Sequence, residues 1–262
     1  MPSSSICNFR DFSSPWFRKW SEEIKNADLH RKIWEWTVLA EVLDERGMLR
    51  PGKRGLGFAV GTEPLACLFA SRGPTVDATD LGSGDKADSW AETNQHASSR
   101  EALWHPYLIE REDFDSRVNF FNADMNDLSS LPSDTYDFIW SACAMEHLGS
   151  LDRGLQFVLN AMRVLKVGGI AAHTTEINVA DLEDTLKEGP DVIFRECDIK
   201  RLGGMLRKQF CYLEPMDFDA GSDPEDILYD AQPWGSLGHP HLKIELGGFI
   251  TTSSVIVCRR VA

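Results

Sequence analysis

The chain has 262 residues, of which 42% are hydrophobic and 26% charged, and its 27 Lys and Arg face 41 Asp and Glu for a formal charge of -14. That length fits one large α/β domain with appendages, and the composition excludes a mainly disordered or low-complexity chain. A surface this acidic repels phosphodiester backbones, and no basic patch offsets it, so a nucleic-acid partner is not expected.

The start, MPSSSICNFRDFSSPWF, has no basic region followed by an apolar run, and no stretch approaches the length of a membrane span. Six cysteines, at 7, 67, 143, 197, 211 and 258, are scattered without a C-x-x-C pair. They read as reduced thiols of a cytoplasmic protein. Residues 1–52 are expected to form an N-terminal helical extension, because Ile33, Trp36, Ala40 and Leu43 recur at helical spacing before Gly47 and Pro51-Gly52 close the segment. Its aromatic residues, Trp16, Phe17, Trp20, Trp34 and Trp36, suit a layer packed on the core better than a substrate entrance.

From Lys53 onward, strand-like and helix-like segments alternate, the pattern of a doubly wound, Rossmann-like α/β sheet. About seven strands are expected, near 54–60, 75–79, 117–122, 136–141, 169–175, 209–214 and 246–259. The last two are joined by a loop and read as an antiparallel edge. Leu155, Leu159, Met162 and Leu165 form the apolar stripe of a helix over 152–166, stopped by Gly168-Gly169. Residues 53–262 thus form the main domain. Two long connections stand out: the polar stretch from Gly82 to Arg100 and a substrate-side loop near 215–243 that includes much of the acidic run from Glu214 to Asp230. There is no internal repeat.

Ligands of open α/β sheets bind beyond the carboxyl ends of the strands. Here those ends carry Ala59-Val60-Gly61-Thr62-Glu63, Asp80, Asp124-Met125, the segment from Ser141 to His147, and His173 to Asn178. Asp80 is placed to accept from two ribose hydroxyls, and Asp124 from an adenine amino group. Each acid alone is equally well explained as a helix cap or turn residue; together they favour an adenosyl ligand.

The run RVNFFNADMNDLSSLPSDTYDFIWSACAMEHLGSLDRGLQFVLNAMRVLKVGGIAAHTTE resembles the class I S-adenosylmethionine-dependent methyltransferases between their third and fifth strands. The resemblance covers roughly residues 53–178 and implies S-adenosyl-L-methionine as cofactor. More narrowly, SACAMEHLGS, AAHTTEIN and HPHLKIELGGFITTS resemble a bacterial subgroup associated with carbohydrate or surface-polysaccharide biosynthesis, which implies a small-molecule or glycan acceptor and O-methylation. The first motif departs from the family. Gly57 stands where the family has an acid, Ala59 at the first glycine, Gly61 at the second and Glu63 at the third. Glu63 either replaces the lost acid in holding the methionine ammonium or only complements a helix dipole.

The cofactor candidates are therefore Gly57, Ala59, Gly61, Glu63, Asp80, Asp124, Met125 and Ser141. A base is needed if the acceptor is a hydroxyl or a protonated amine, and the candidates are Glu176, His173, Glu146 and His147. Asn178, His239 and His241 are candidates for substrate contact. No compact ligand spacing supports a metal. The alternatives are a non-catalytic binding or scaffold protein that kept the fold, and an aminopropyltransferase-like enzyme, whose paired acids are not seen. An NAD-dependent oxidoreductase would need a G-x-G-x-x-G turn, which the loop lacks.

Overall fold

The computed structural model describes residues 3–82, 96–180, 183–236 and 238–262; most of the polar connection after Gly82 therefore lies outside the described residues. Strands β1 (Ser4–Ile6), β2 (Arg54–Phe58), β3 (Thr75–Asp80), β4 (Val118–Asn122), β5 (Tyr136–Ala142), β6 (Leu165–Asn178), β7 (Cys211–Leu213), β8 (Met216–Asp217), β9 (Ile244–Leu246) and β10 (Phe249–Arg260) make one sheet. Its order is β4-β3-β2-β5-β6-β10-β1-β8, with β7 and β9 also paired to β10. Strands β4, β3, β2, β5 and β6 are parallel. The order reverses between β2 and β5, which opens a crevice at their carboxyl ends.

The antiparallel strand falls where the sequence puts it. Arg259 of β10 pairs with Tyr212 of β7 and with Ile170 of β6. The sheet nevertheless continues past it, because the Ser-rich start supplies β1, which pairs antiparallel with β10 at Ser5 and Val255. Three residues of pairing leave almost no periodic signal, which is why β1, β8 and β9 exceed the expected seven. The strand expected at 246–259 is divided into β9 and β10 by Gly247 and Gly248, both at positive φ, the backbone of a two-residue hairpin turn.

Helices α1 (Pro15–Ile24), α2 (Arg31–Glu45), α3 (Leu65–Ser71) and α4 (Arg111–Arg117) contribute to the core on one face, where Phe138 and Trp140 point. Helices α5 (Leu151–Ala161) and α6 (Glu196–Arg207) contribute to the core on the other face, with Ile139. The alternation along β5 is the period-2 geometry of a strand buried on both sides. The helix expected to run to 166 ends at Ala161 because Leu165 already pairs with Tyr136 and opens β6.

The N-terminal segment is two helices, broken at Lys25 in the left-handed conformation. Val38, Leu39, Val42 and Leu43 of α2 are fully buried. At about 1.5–3 kcal/mol for each such side chain, they dock the helix together with Ile33 and Trp34 of its opening turns.

Candidate active site

The chain leaves β2 through a tight turn in which Ala59 (φ +46°) and Gly61 (φ +53°) are both left-handed. The turn is pinned to β3: Val60 N–H donates to the Thr79 carbonyl at 3.0 Å and Gly61 N–H to Asp80 Oδ2 at 3.1 Å. Asp80 also accepts from Leu81 N (2.8 Å) and Ala97 N (3.0 Å), so its carboxylate organises three backbone segments around the end of its strand. Gly57 has a packing reason. A Cβ there would lie 2.3 Å from Trp140 Cζ2 and 2.6 Å from Val60 Cγ1.

A cavity of about 480 Å³ opens where these strand ends converge, within the range of small-molecule sites. Ala59, Gly61, Thr62 and Glu63 form one side; Asp80, Leu81, Asp124 and Met125 line the end beyond β3 and β4. Ala142, Cys143 and Ala144 rise from β5, and His147 and Leu148 follow them. The remaining wall is His30, Lys32 and Trp36 from the start of α2. Of the stripe read from the sequence, Ile33, Ala40 and Leu43 are buried, whereas Trp36 turns its indole to this cavity.

Behind the Cys143 wall lies a buried charge cluster centred on Glu35, which has no exposed surface. Glu35 accepts from Lys32 Nζ at 2.9 Å, from Cys143 Sγ at 3.0 Å, from Thr174 Oγ1 at 3.3 Å and from Ser253. Burial raises its pKa, but Lys32 and Arg31 outweigh that and hold the carboxyl below its usual value. Arg31 also forms an ion pair with Glu176, which accepts from Thr251 Oγ1 at 2.9 Å. Ligand atoms of Cys143, Glu146 and Glu176 lie within 4.8 Å of one another. The Arg31 guanidinium already neutralises the Glu176 corner of that group.

Glu63 sits on the cavity side of the cluster. Its carboxylate is 3.8 Å from Lys32 Nζ and its side chain is 18% exposed. Burial pushes its pKa up to about 7; Lys32 and the Trp36 N–H pull it down, while Glu35 and Asp80 push it further up. The Trp36 Nε1 atom itself is buried and has no hydrogen-bond partner in the protein.

The candidate residues from the sequence divide cleanly. Ala59, Gly61, Glu63, Asp80, Asp124, Met125 and His147 line the cavity. Gly57 lies under the turn, and Ser141 is buried against His173 Nδ1 at 2.8 Å. Burial holds His173 neutral, with its pKa near 3. Glu146, accepting from Thr175 Oγ1 at 2.9 Å, and Glu176 are buried behind the wall. Asn178 donates to the Asp184 carbonyl at 3.1 Å, away from the cavity. His239 Nδ1 is 3.3 Å from the Tyr229 carbonyl. His241 stacks on His30 with ring centroids 4.5 Å apart, and the buried Asp230 accepts from its Nδ1 at 2.8 Å. The late loop thus reaches the cavity mouth through His30, whose own Nδ1 accepts from Lys32 N–H at 3.0 Å. Burial lowers the pKa of His30 to about 4 and keeps the ring neutral.

Residues 56–173, spanning every strand end of this cavity, match the family model described as a methyltransferase domain. The fold is that of the S-adenosylmethionine-dependent methyltransferases. By sequence, none of the curated proteins matches the chain. Among solved structures, phosphoethanolamine N-methyltransferase 2 of Haemonchus contortus, in complex with S-adenosyl-L-methionine, is 15% identical with a TM-score of 0.52, over 87% of this chain and 53% of that one. The 1,6-didemethyltoxoflavin-N1-methyltransferase of Burkholderia thailandensis, with bound 1,6-didemethyltoxoflavin and S-adenosylhomocysteine, is 15% identical with a TM-score of 0.49, over 97% and 87%. The [4+2]-cyclase SpnF is 21% identical with a TM-score of 0.46, over 67% of this chain, which spans 56% of that protein.

The cofactor of the methyltransferase domain is S-adenosylmethionine, and the cavity suits it. Asp80 and Asp124 stand at the end beyond β3 and β4, and Glu63, Lys32 and Trp36 line the cavity from the turn after β2 and from α2. Lys32, Trp36 and His30 were absent from the sequence-derived candidates. Their only signal was polar residues, Arg31, Lys32 and Glu35, in the opening turns of an otherwise core-bound helix.

Proposed function

We propose that the protein transfers the methyl group of S-adenosylmethionine to a hydroxyl of a small, ring-shaped acceptor of carbohydrate type. The observation that carries this reading is His147. It lines the cavity just after β5, and its Nδ1 faces the Asp191 carboxylate at 2.9 Å and the Pro190 carbonyl at 3.2 Å. Two acceptors on Nδ1 keep the proton there, so the neutral ring carries its lone pair on Nε2, the tautomer of a base for a hydroxyl. Burial lowers the His147 pKa, but Asp191 and Glu146 outweigh it and raise the net value, which strengthens the base.

When bound, the cofactor supplies an electrophilic sulfonium methyl. Asp80 and Asp124 hold the adenosine end, and the turn from Ala59 to Glu63 orients the methionyl end. His147 takes the acceptor proton, and the wall of Ala142, Cys143 and Ala144 limits water. His173 and Glu146 tie β5 and the segment after it to β6, and Glu176 ties β6 to β10 and α2. The ring stack of His30 and His241, with Trp234 edge-on at 5.9 Å, offers a flat surface beside the mouth where a sugar ring is recognised.

The test is transfer of labelled methyl to a panel of sugars, sugar nucleotides and amines. Hydroxylated rings are expected to accept it, and His147→Ala to lower kcat by about 10²–10⁴-fold with S-adenosylmethionine affinity retained. Transfer to amines alone, or an unaffected His147→Ala enzyme, would defeat the reading.

A further inference from the structure

The methionyl end of the cofactor is a zwitterion, so its site needs an anion for the ammonium and a cation or N–H donors for the carboxylate. The turn after β2 has no room for the first. Any side chain at Gly57, where the family has its acid, would collide with Trp140. The opposite wall comes from α2, which lies before the matched residues 56–173. Lys32 and Trp36 are four residues apart on one helical face, and both line the cavity together with Glu63.

Neither donor is used up by the protein. The Lys32 ammonium makes one hydrogen bond, to Glu35. At 3.8 Å, Glu63 is outside hydrogen-bond range, which leaves ammonium N–H groups uncommitted among the described residues. The buried Trp36 Nε1–H completes no well-formed hydrogen bond in the protein and only favours the ionised form of the neighbouring Glu63, a state that folded proteins seldom tolerate unless a ligand or water meets it. Two carboxylates, Glu35 and Glu63, share the Lys32 ammonium. That surplus of negative charge is what an incoming ammonium would neutralise.

We propose that Lys32 and Trp36 bind the α-carboxylate of S-adenosylmethionine while Glu63 binds its α-ammonium, so that the opening turns of α2 complete a clamp that the first strand cannot supply. This rests on the reading of the cavity as the cofactor site. The polarity follows from the groups themselves: an ammonium and an indole N–H only donate, and an ionised carboxylate only accepts.

Calorimetry with four ligands tests it: S-adenosylmethionine, S-adenosylhomocysteine, decarboxylated S-adenosylmethionine and 5′-methylthioadenosine, which lacks the amino-acid group. On the unaltered protein, which needs no variant to fold, loss of the ligand carboxylate is expected to weaken binding about 10- to 100-fold, as for lost hydrogen bonds between charged groups. Lys32→Met and Trp36→Phe, titrated above about pH 8 where Glu63 stays ionised, should weaken both amino-acid-bearing ligands by about tenfold, leave 5′-methylthioadenosine unchanged, and weaken the decarboxylated analogue less than S-adenosylmethionine. Equal affinity of the unaltered protein for S-adenosylmethionine and its decarboxylated form would overturn the clamp. So would Lys32→Met weakening 5′-methylthioadenosine as much as S-adenosylmethionine. Failure of the unaltered protein to bind any of the four would instead overturn the cavity's assignment to the cofactor.

Discussion

Protonation of Glu63 makes cofactor binding a function of pH. Glu63 is held near pKa 7 by burial, with Lys32 and Trp36 opposing it and Glu35 and Asp80 reinforcing it. Only its ionised form can take an ammonium. Half of it is ionised at pH 7 and about a tenth at pH 6, so the apparent affinity for S-adenosylmethionine should fall about fivefold over that unit and about 50-fold by pH 5. On the alkaline side the ligand's own α-amino group loses its proton near pH 7.7–8.0. The affinity should therefore peak between about pH 7 and 8. The same shift bears on stability with the opposite sense to a salt-bridged acid. Because the folded value is raised, the unfolded chain loses this proton first, and stability falls as pH climbs from 4.5 to about 7, by about 3 kcal/mol. Glu63→Gln should abolish both slopes, binding the cofactor more weakly at pH 7.5 while unfolding at a higher temperature. Calorimetric titrations from pH 5.5 to 9, with 5′-methylthioadenosine as a ligand that should show no slope, provide the assay. A flat profile for S-adenosylmethionine below pH 7, or an unchanged slope in Glu63→Gln, would refute the reasoning.

Two further outcomes can be read by unfolding. Glu35→Gln removes the charge that balances Arg31 and Lys32 inside the core, so the chain should lose about 3–5 kcal/mol in urea titration; a loss below about 1 kcal/mol would mean that water or another carboxylate compensates. Ala59→Gly relieves a left-handed alanine at φ +46° and should raise Tm by about 2–4 °C, whereas a lower Tm would place the strain elsewhere.

Much of the architecture could be read before the structure, because strands buried on both faces and helices with apolar stripes leave strong periodic signals. The parallel strand ends and the acids Asp80 and Asp124 at the cavity were legible for that reason. What failed to show was direction. His173 and Thr174 are neighbours on β6, yet one turns to Ser141 and Phe157 and the other to Glu35. Whether Glu176 meets the cavity or Arg31 depends on how α2 docks, and a helix that precedes β2 in the chain carries no local mark of its destination. Lys32 and Trp36 were hidden by the same circumstance. Trp36 even fits the apolar periodicity of its helix, so the pattern assigned wholly to the core a ring that the tertiary structure shares between core and cavity.

The contact between Gly57 and Trp140 also has a historical consequence. A single substitution to aspartate at position 57 would restore the acid of the family motif, but the carboxylate would arrive where an indole already stands. An acid at position 57 therefore needs two changes at once, and either change alone is harmful: an aspartate without room, or a hole in the core without an aspartate. Selection on such a lineage can refine the cofactor's grip only from other directions. The helix that lies across the cavity is the nearest of them, through Lys32 and Trp36, the positions of its opening turns that face the cavity.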